Sequence, residues 1–203
     1  MDYKIYGHRN AELLLKNKEE YIELFREIKE VLNSITDDDL IDKFNKNKRH
    51  NIKSLSQPIN ELIKERLILK GWHSESAIFN DKNYKNGADK NSWRLDFAKG
   101  DIAVEVAFNH GEAIAWNLIK PVLASELNHV EKEIQTSIGI VICATQNLKI
   151  AGNFDGAVGT FEKFIRYLIP LNDILTTPIL IIGLDSPKTF HIDKDTRKII
   201  INK

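Results

Sequence analysis

Two short apolar segments of the sequence, 94–98 and 101–108, each carry one acid, and a tight turn at Gly100 joins them. Asp96 lies in the first segment and Glu105 in the second. A carboxylate inside an apolar strand is unfavourable unless it is paired or binds a cation. Two such strands side by side bring both carboxylates to one point, where a hard divalent cation neutralises them. The pattern therefore predicts a strand pair with a shared metal ion.

The geometry of the second strand separates a metal-facing side from a core-facing side. Side chains alternate across a strand, so Glu105 and Ala107 share one face, while Val104 and Val106 point the opposite way into the core. Mg²⁺ usually takes one or two protein carboxylates, so two acids and a backbone carbonyl are enough to hold it. Such an ion activates water for phosphodiester hydrolysis. The spacing alone is weak, because acids flank turns by chance, and Asp101 has an ordinary place in the turn itself.

The remaining sequence predicts one α/β domain over 1–203, with a mixed β-sheet flanked by helices. Helices are predicted where apolar residues recur at steps of three and four, and strands where short apolar runs occur. The predicted helices are 11–35, 58–70 (between Pro58 and Gly71), 113–135 (interrupted at Pro121) and 160–169; the further strands are 138–144 and 179–184; and the polar loops are 42–56 and 80–93.

The charge distribution argues against a general nucleic-acid coat protein but allows a local basic face. The formal net charge is zero, whereas residues 41–90 hold eleven basic and six acidic side chains. Lys48 and Arg49 lie in the densest basic part, and they are candidates for contacts with DNA phosphates. A solvated loop is an equally good interpretation of this segment.

The composition indicates an ordinary globular protein. Apolar residues make up 42% of the chain and charged residues 29%. No apolar run is long enough to span a bilayer, and residues 1–4 lack the apolar segment of a secretion signal. We therefore expect a cytoplasmic location and no membrane partner.

Five short motifs, taken in order, resemble the type II restriction endonucleases of the BglII and BstYI group, within the PD-(D/E)XK nuclease superfamily. That group has Asp-Phe before a turn, a Val-Glu-Val-Gln-Phe strand, a Ser-Glu-Leu helix and an apolar strand ending in Gly. The resemblance covers roughly residues 58–184. The matching segments are Leu95-Asp96-Phe97, Val104-Glu105-Val106-Ala107-Phe108, Ala124-Ser125-Glu126-Leu127, Gly139-Ile140-Val141-Ile142 and Pro178-Ile179-Leu180-Ile181-Ile182-Gly183-Leu184.

The resemblance implies a PD-(D/E)XK restriction-endonuclease-like core and a homodimer that depends on Mg²⁺. Its substrate would be double-stranded DNA, cut at a short palindrome that is centred on GATC in relatives. Asp96 and Glu105 match the metal carboxylates of that group.

Position 107 departs from the resemblance. Ala107 stands where the group has Gln and related nucleases have Lys or Glu, and alanine cannot orient a water or stabilise developing charge. Three explanations are open. The favoured one is an engineered catalytic knockout, because the other metal positions are intact. Alternatively, the missing group has migrated to Lys120 or Glu112 on the following helix, or the chain is a binding module without chemistry.

Base-reading candidates follow from residue chemistry and from the resemblance, in which the loop after the fourth core strand enters the major groove. Asn153 and Asp155 lie in that loop; Asn pairs with adenine, and Asp accepts from cytosine. His110 follows the acidic strand and suits a contact with phosphate or water. The alternative interpretation is that all three are turn residues or incidental polar residues.

Two other functions fit the same sequence. The first is a DNA repair or recombination nuclease of the same fold, acting on structured or nicked DNA. The second is a non-catalytic DNA-binding protein. Sharp sequence dependence of binding would argue against the first, and cleavage by a variant with Glu, Gln or Lys at position 107 would argue against the second.

Overall fold

The computed structural model of the chain describes residues 1–47, 52–86, 90–127 and 129–202. No helix within these ranges is both long and apolar enough to cross a membrane. The helices are α1 (Ala11–Asn17), α2 (Glu19–Ser34), α3 (Asp37–Asn47), α4 (Ser56–Leu69), α5 (Lys82–Lys85), α6 (Ile114–Ser125), α7 (Gln146–Ala151) and α8 (Phe161–Leu171). The strands are β1 (Tyr3–His8), β2 (His73–Ala77), β3 (Arg94–Lys99), β4 (Ile102–Ala107), β5 (Ile138–Ala144), β6 (Ile179–Leu184), β7 (Phe190–Ile192) and β8 (Ile199–Ile201).

Six strands of the described chain form one mixed sheet in the order β1-β6-β5-β4-β3-β2. Strands β4, β5 and β6 run parallel, whereas β1, β2 and β3 pair antiparallel with their neighbours. Every residue of β5 and β6 is buried, and both strands are almost wholly apolar. This is the pattern of parallel strands that are covered on both faces. The predicted α/β fold, a mixed sheet flanked by helices, is confirmed.

Helices cover both faces of the sheet. Val104 and Val106 of β4 belong to the large apolar cluster that also contains the buried faces of α2 and α4. On the other face, α6 packs on β4 and β5, and α8 packs on β6. Because side chains alternate along β4, Ala103, Glu105 and Ala107 face α6.

Two predicted helices differ in extent from the observed ones. The predicted helix 11–35 is divided into α1 and α2, because Lys18 between them takes an extended conformation with ψ of 127°. The predicted helix 113–135 ends at Ser125. Among the described residues 129–135, exposed and half-buried positions alternate, and this period of two fits an extended chain rather than a helix.

Several elements of the structure were not predicted. Helix α3 occupies the start of the predicted loop 42–56 and buries Leu40 and Phe44. Strand β1 pairs with β6, and β2 forms the opposite edge of the sheet. Both edge strands are half-exposed and largely polar, so their sequences lack the apolar runs of the central strands.

Candidate metal centre

Asp96 and Glu105 point to the same face of the sheet. The register between β3 and β4 places Ala98 opposite Ala103, and these two alanines belong to one buried cluster with Ala124 of α6. Asp96 lies two residues before Ala98, and Glu105 lies two residues after Ala103, so both acids repeat the direction of the alanines. The structure therefore brings the two predicted metal ligands together under α6.

The carboxylate of Asp96 is held by the backbone of the neighbouring strand. The N–H of Val106 donates a hydrogen bond of 2.7 Å to Oδ2 of Asp96. Burial raises the pKa of Asp96 above its ordinary value, and the Val106 hydrogen bond and the charge of Lys120 oppose this rise. One oxygen of Asp96 thus has a fixed position at the point where the two strands separate.

Glu105 is a buried carboxylate whose charge is incompletely compensated. Glu105 is 1% exposed, and its Oε1 atom has no hydrogen-bond partner among the described residues. Burial raises the pKa of Glu105 to about 8, and the negative charge of Asp96 acts in the same direction. A buried polar atom without a partner is unfavourable, so this oxygen is suited to a ligand. A cation shared with Asp96 would satisfy it.

The ammonium group of Lys120 reaches the two acids from α6. It forms an ion pair with Oε2 of Glu105 and donates a hydrogen bond of 3.2 Å to the carbonyl of Arg94. Lys120 is 8% exposed, so this charge is almost as buried as its partner. The centre therefore contains one half-buried carboxylate, that of Asp96, and the buried ion pair of Glu105 with Lys120.

The donor set fits Mg²⁺. In the described part of the chain, no group of three or more His, Cys, Asp or Glu side chains is arranged to hold a metal ion. Mg²⁺ does not need such a group, because it commonly binds one or two carboxylates and retains several waters. Asp96 and Glu105, with the unpartnered oxygen of Glu105, supply that number of carboxylates.

Ala107 is on the face of Glu105 but lies in an apolar environment. It is 2% exposed and belongs to a cluster with Ile114 and Leu118 of α6 and with Val141 of β5. Its methyl group ends among these side chains. The side chain at position 107 therefore contributes packing and no polar atom to the centre.

Glu112 and Lys120, the two candidates for carrying the group that is missing at position 107, lie in different places. Glu112 is exposed and lines a cavity of about 450 Å³ together with His110, Lys163 and Arg166. Lys120, in contrast, forms the ion pair with Glu105.

Two adjoining loops carry the predicted DNA-contact residues. The N–H of Gly111 donates a hydrogen bond of 2.7 Å to the carbonyl of Ala157, which joins the loop after β4 to the loop after α7. Nε2 of His110 consequently lies 3.8 Å from Oδ1 of Asp155, and both side chains are 66% exposed. These two residues are available for contact with a large ligand.

Part of the predicted recognition loop has a local structural role. Nδ2 of Asn153 donates a hydrogen bond of 2.9 Å to the carbonyl of Lys53, and Asp155 accepts a hydrogen bond from a backbone N–H two residues later. Asn153 retains its side-chain oxygen, and Asp155 retains its second carboxylate oxygen, for other contacts. The predicted phosphate contacts Lys48 and Arg49 lie outside the described residues.

A groove of about 550 Å³ beside β4 was not predicted. The polar residues of α4 that line the groove recur at steps of three and four. In the sequence alone, this pattern indicates only the solvent-facing side of a helix. The closeness of α4 to β4 depends on tertiary packing. The groove is lined by Ser56, Gln57, Asn60, Glu61, Lys64, Val106, Phe108 and Asn109.

Two solved structures share the fold. The crystal structure of restriction endonuclease BglII complexed with a DNA 16-mer aligns over 98% of this chain and 87% of the BglII chain, with 20% identity and a TM-score of 0.67. The crystal structure of free BglII aligns over 98% of this chain and 90% of the other, with 17% identity and a TM-score of 0.53. No curated protein sequence matches the chain.

A family model connects this fold to an activity. The model described as restriction endonuclease BglII/BglIII matches residues 3–184, which is most of the chain. The match includes both strands of the metal centre, and α6 with Lys120. The chain belongs to the BglII/BglIII family of restriction endonucleases and is a type II site-specific deoxyribonuclease.

Proposed function

We propose that this enzyme is Mg²⁺-dependent and hydrolyses both strands of duplex DNA at a short palindrome, centred on GATC. The observation that carries the metal dependence is the pairing of a half-buried Asp96 with a buried Glu105, one carboxylate oxygen of which is unpartnered. Mg²⁺ is the divalent cation that most often serves phosphate chemistry with so few protein ligands. A cytoplasmic location is part of this proposal.

The residues of the centre prepare the reaction in distinct ways. When bound, Mg²⁺ polarises a phosphoryl oxygen, lowers the pKa of the attacking water and offsets charge on the leaving oxygen. Asp96 and Glu105 would hold the ion. The Val106 N–H fixes the orientation of the Asp96 carboxylate. The burial of Glu105 under α6 strengthens its electrostatic interactions, whereas the half-buried Asp96 remains open to solvent.

DNA recognition is proposed for the loops that follow β4 and α7. His110 and Asp155 are exposed on adjoining loops, and β4 leads directly from Glu105 to His110. Asn153 and Asp155 would read bases through the oxygen atoms that their local hydrogen bonds leave available. Lys48 and Arg49 are proposed to contact phosphates. The related BglII structure contains a DNA 16-mer.

We also propose a homodimer, because a two-fold axis in the protein matches the two-fold axis of a palindrome. The end of α8 and the following turn expose three large side chains, those of Tyr167, Ile169 and Ile174. Light scattering at micromolar concentration is expected to give about twice the 23.3 kDa mass of one chain. A mass of one chain with and without DNA would contradict the dimer.

The function is tested by digesting a bacteriophage genome with the protein and Mg²⁺, followed by sequencing of the ends. Parent protein and Ala107→Glu, Ala107→Gln and Ala107→Lys variants are digested in parallel. Ends that share one palindrome in any of these digests support the proposal. Scattered ends, or cutting only at nicked or branched DNA, would favour a repair nuclease. No cutting by any form would favour a non-catalytic DNA-binding protein.

A further inference from the structure

We propose that Lys120 is a catalytic residue and supplies, from α6, the hydrogen-bond donor that position 107 of β4 lacks. The inference rests on the proposed function, because it concerns the same reacting centre. It implies that the chain with Ala107 is an active nuclease rather than a knockout.

The first support is position. Glu105 and Ala107 both face α6, and the ammonium of Lys120 meets the carboxylate of Glu105 on that face. The space around Ala107 is filled by Ile114 and Leu118 of the same helix. Helix α6 therefore provides both the apolar packing around Ala107 and the buried ammonium group of Lys120.

The second support is the burial of the ion pair. Removing two charges from water is unfavourable, and an apolar pair of similar volume is often as stable or more stable. The network is also incomplete, because Oε1 of Glu105 has no partner. A buried group of charges with an unpartnered oxygen is typical of a site where a charged ligand supplies the missing partner.

The third support is the way in which Lys120 is held. Its ammonium donates to the carbonyl of Arg94 as well as to Glu105. Pro121, the next residue, lies so close to Gly139 of β5 that a methyl group on Gly139 would come within 2.6 Å of Cβ of Pro121. The lysine is thus fixed by a close contact between helix and sheet.

The proposed role is electrostatic. In hydrolysis, the water oxygen bonds to phosphorus while a bridging P–O bond breaks, and the proton of the water passes through solvent to the departing sugar oxygen. Lys120 keeps its proton throughout. It donates hydrogen bonds to the attacking water or to a non-bridging phosphoryl oxygen, where negative charge develops.

The test compares Lys120→Met with the parent in three measurements: cleavage with Mg²⁺, binding of the same DNA with Ca²⁺, and the melting temperature. Loss of one preorganised donor is expected to lower the cleavage rate by about 10²–10³-fold. DNA binding and the melting temperature, both measured with Ca²⁺, are expected to stay close to those of the parent, because the bound cation then offsets the charges of Asp96 and Glu105 that Lys120 no longer offsets.

The matched control is Lys99→Met. Lys99 also pairs with a glutamate, Glu27, and donates to a backbone carbonyl, that of Lys70, but it lies at the turn end of the same hairpin. Its removal is expected to leave the cleavage rate unchanged.

Four outcomes would overturn the inference. The first is unchanged cleavage by Lys120→Met. The second is a loss of DNA binding and melting temperature in parallel with cleavage, since that would assign Lys120 a structural role. The third is a parent that does not cut while Ala107→Gln or Ala107→Glu does, which would leave the proposed function intact. If no form cuts any DNA, the proposed function and the inference both fail.

Discussion

Exchanging Asp96 for Asn, or Glu105 for Gln, is expected to lower the rate of DNA cleavage by about 10³-fold or more. Each change preserves the size of the side chain and removes the charge that would hold the cation. A catalytic metal contributes several kcal/mol to the transition state, and each 1.4 kcal/mol corresponds to about a tenfold change in rate. Single-turnover cleavage measures the loss, and DNA binding is expected to remain, because phosphate and base contacts come from other residues.

A second measurement separates loss of the metal from loss of the fold. Metal at about 100 times its dissociation constant adds roughly 2.7 kcal/mol to the free energy of unfolding. The melting temperature of the parent should therefore rise with Mg²⁺ or Ca²⁺, and that of the double variant Asp96→Asn, Glu105→Gln should not. Asp101→Asn is the matched control, since Asp101 lies exposed at the turn of the hairpin. Full cleavage by either single variant would mean that the metal is held elsewhere.

The acidic hairpin could be predicted because its information is local. The apolar runs, the intervening Gly100 and the alternation of side chains determine both strands and the shared face of Asp96 and Glu105. Strands β5 and β6 were predictable for the same reason, since unbroken apolar runs indicate strands that are covered on both faces.

The position of Lys120 next to Glu105 could only be a hypothesis at the level of sequence. Lys120 lies fifteen positions after Glu105, and their contact depends on where α6 crosses the sheet. The groove between α4 and β4 depends on a tertiary contact in the same way. The edge strands β1 and β2 escaped prediction because they are polar and half-exposed, and their pairing partners lie far along the chain or across a loop.

The sequence and the fold identify the base-reading residues less clearly than they identify the acidic hairpin. Asn and Asp suit turns as well as bases, and the structure gives Asn153 and Asp155 turn-like hydrogen bonds that leave one oxygen of each side chain available. Both interpretations can hold at once, because a loop that offers hydrogen-bonding groups to the bases must itself keep a fixed conformation.

Exchanging Gly139 for Ala is expected to lower both the stability and the activity of the enzyme. The added Cβ would lie 2.6 Å from Cβ and 3.0 Å from Cγ of Pro121, which is a rigid ring inside α6. The helix must therefore move away from the sheet. Such overpacking costs about 1–3 kcal/mol, which corresponds to a decrease in melting temperature on the order of 5 °C for a chain of this size. Displacement of the neighbouring Lys120 is expected to lower cleavage by about 10-fold to 100-fold.

Two other glycines separate the effect on stability from the effect on the site. Gly183→Ala places a Cβ 2.6 Å from the ring of Phe161 in α8, so it should lower the melting temperature without moving α6. Gly156→Ala meets no atom of the described chain within 4 Å and should leave the melting temperature unchanged. Cleavage is measured well below all the melting temperatures. Gly139→Ala should then lose activity that Gly183→Ala retains, because Gly139 contacts α6 next to Lys120, whereas Gly183 contacts α8. An equal loss in both variants would mean that general destabilisation, rather than the placement of α6, limits the reaction.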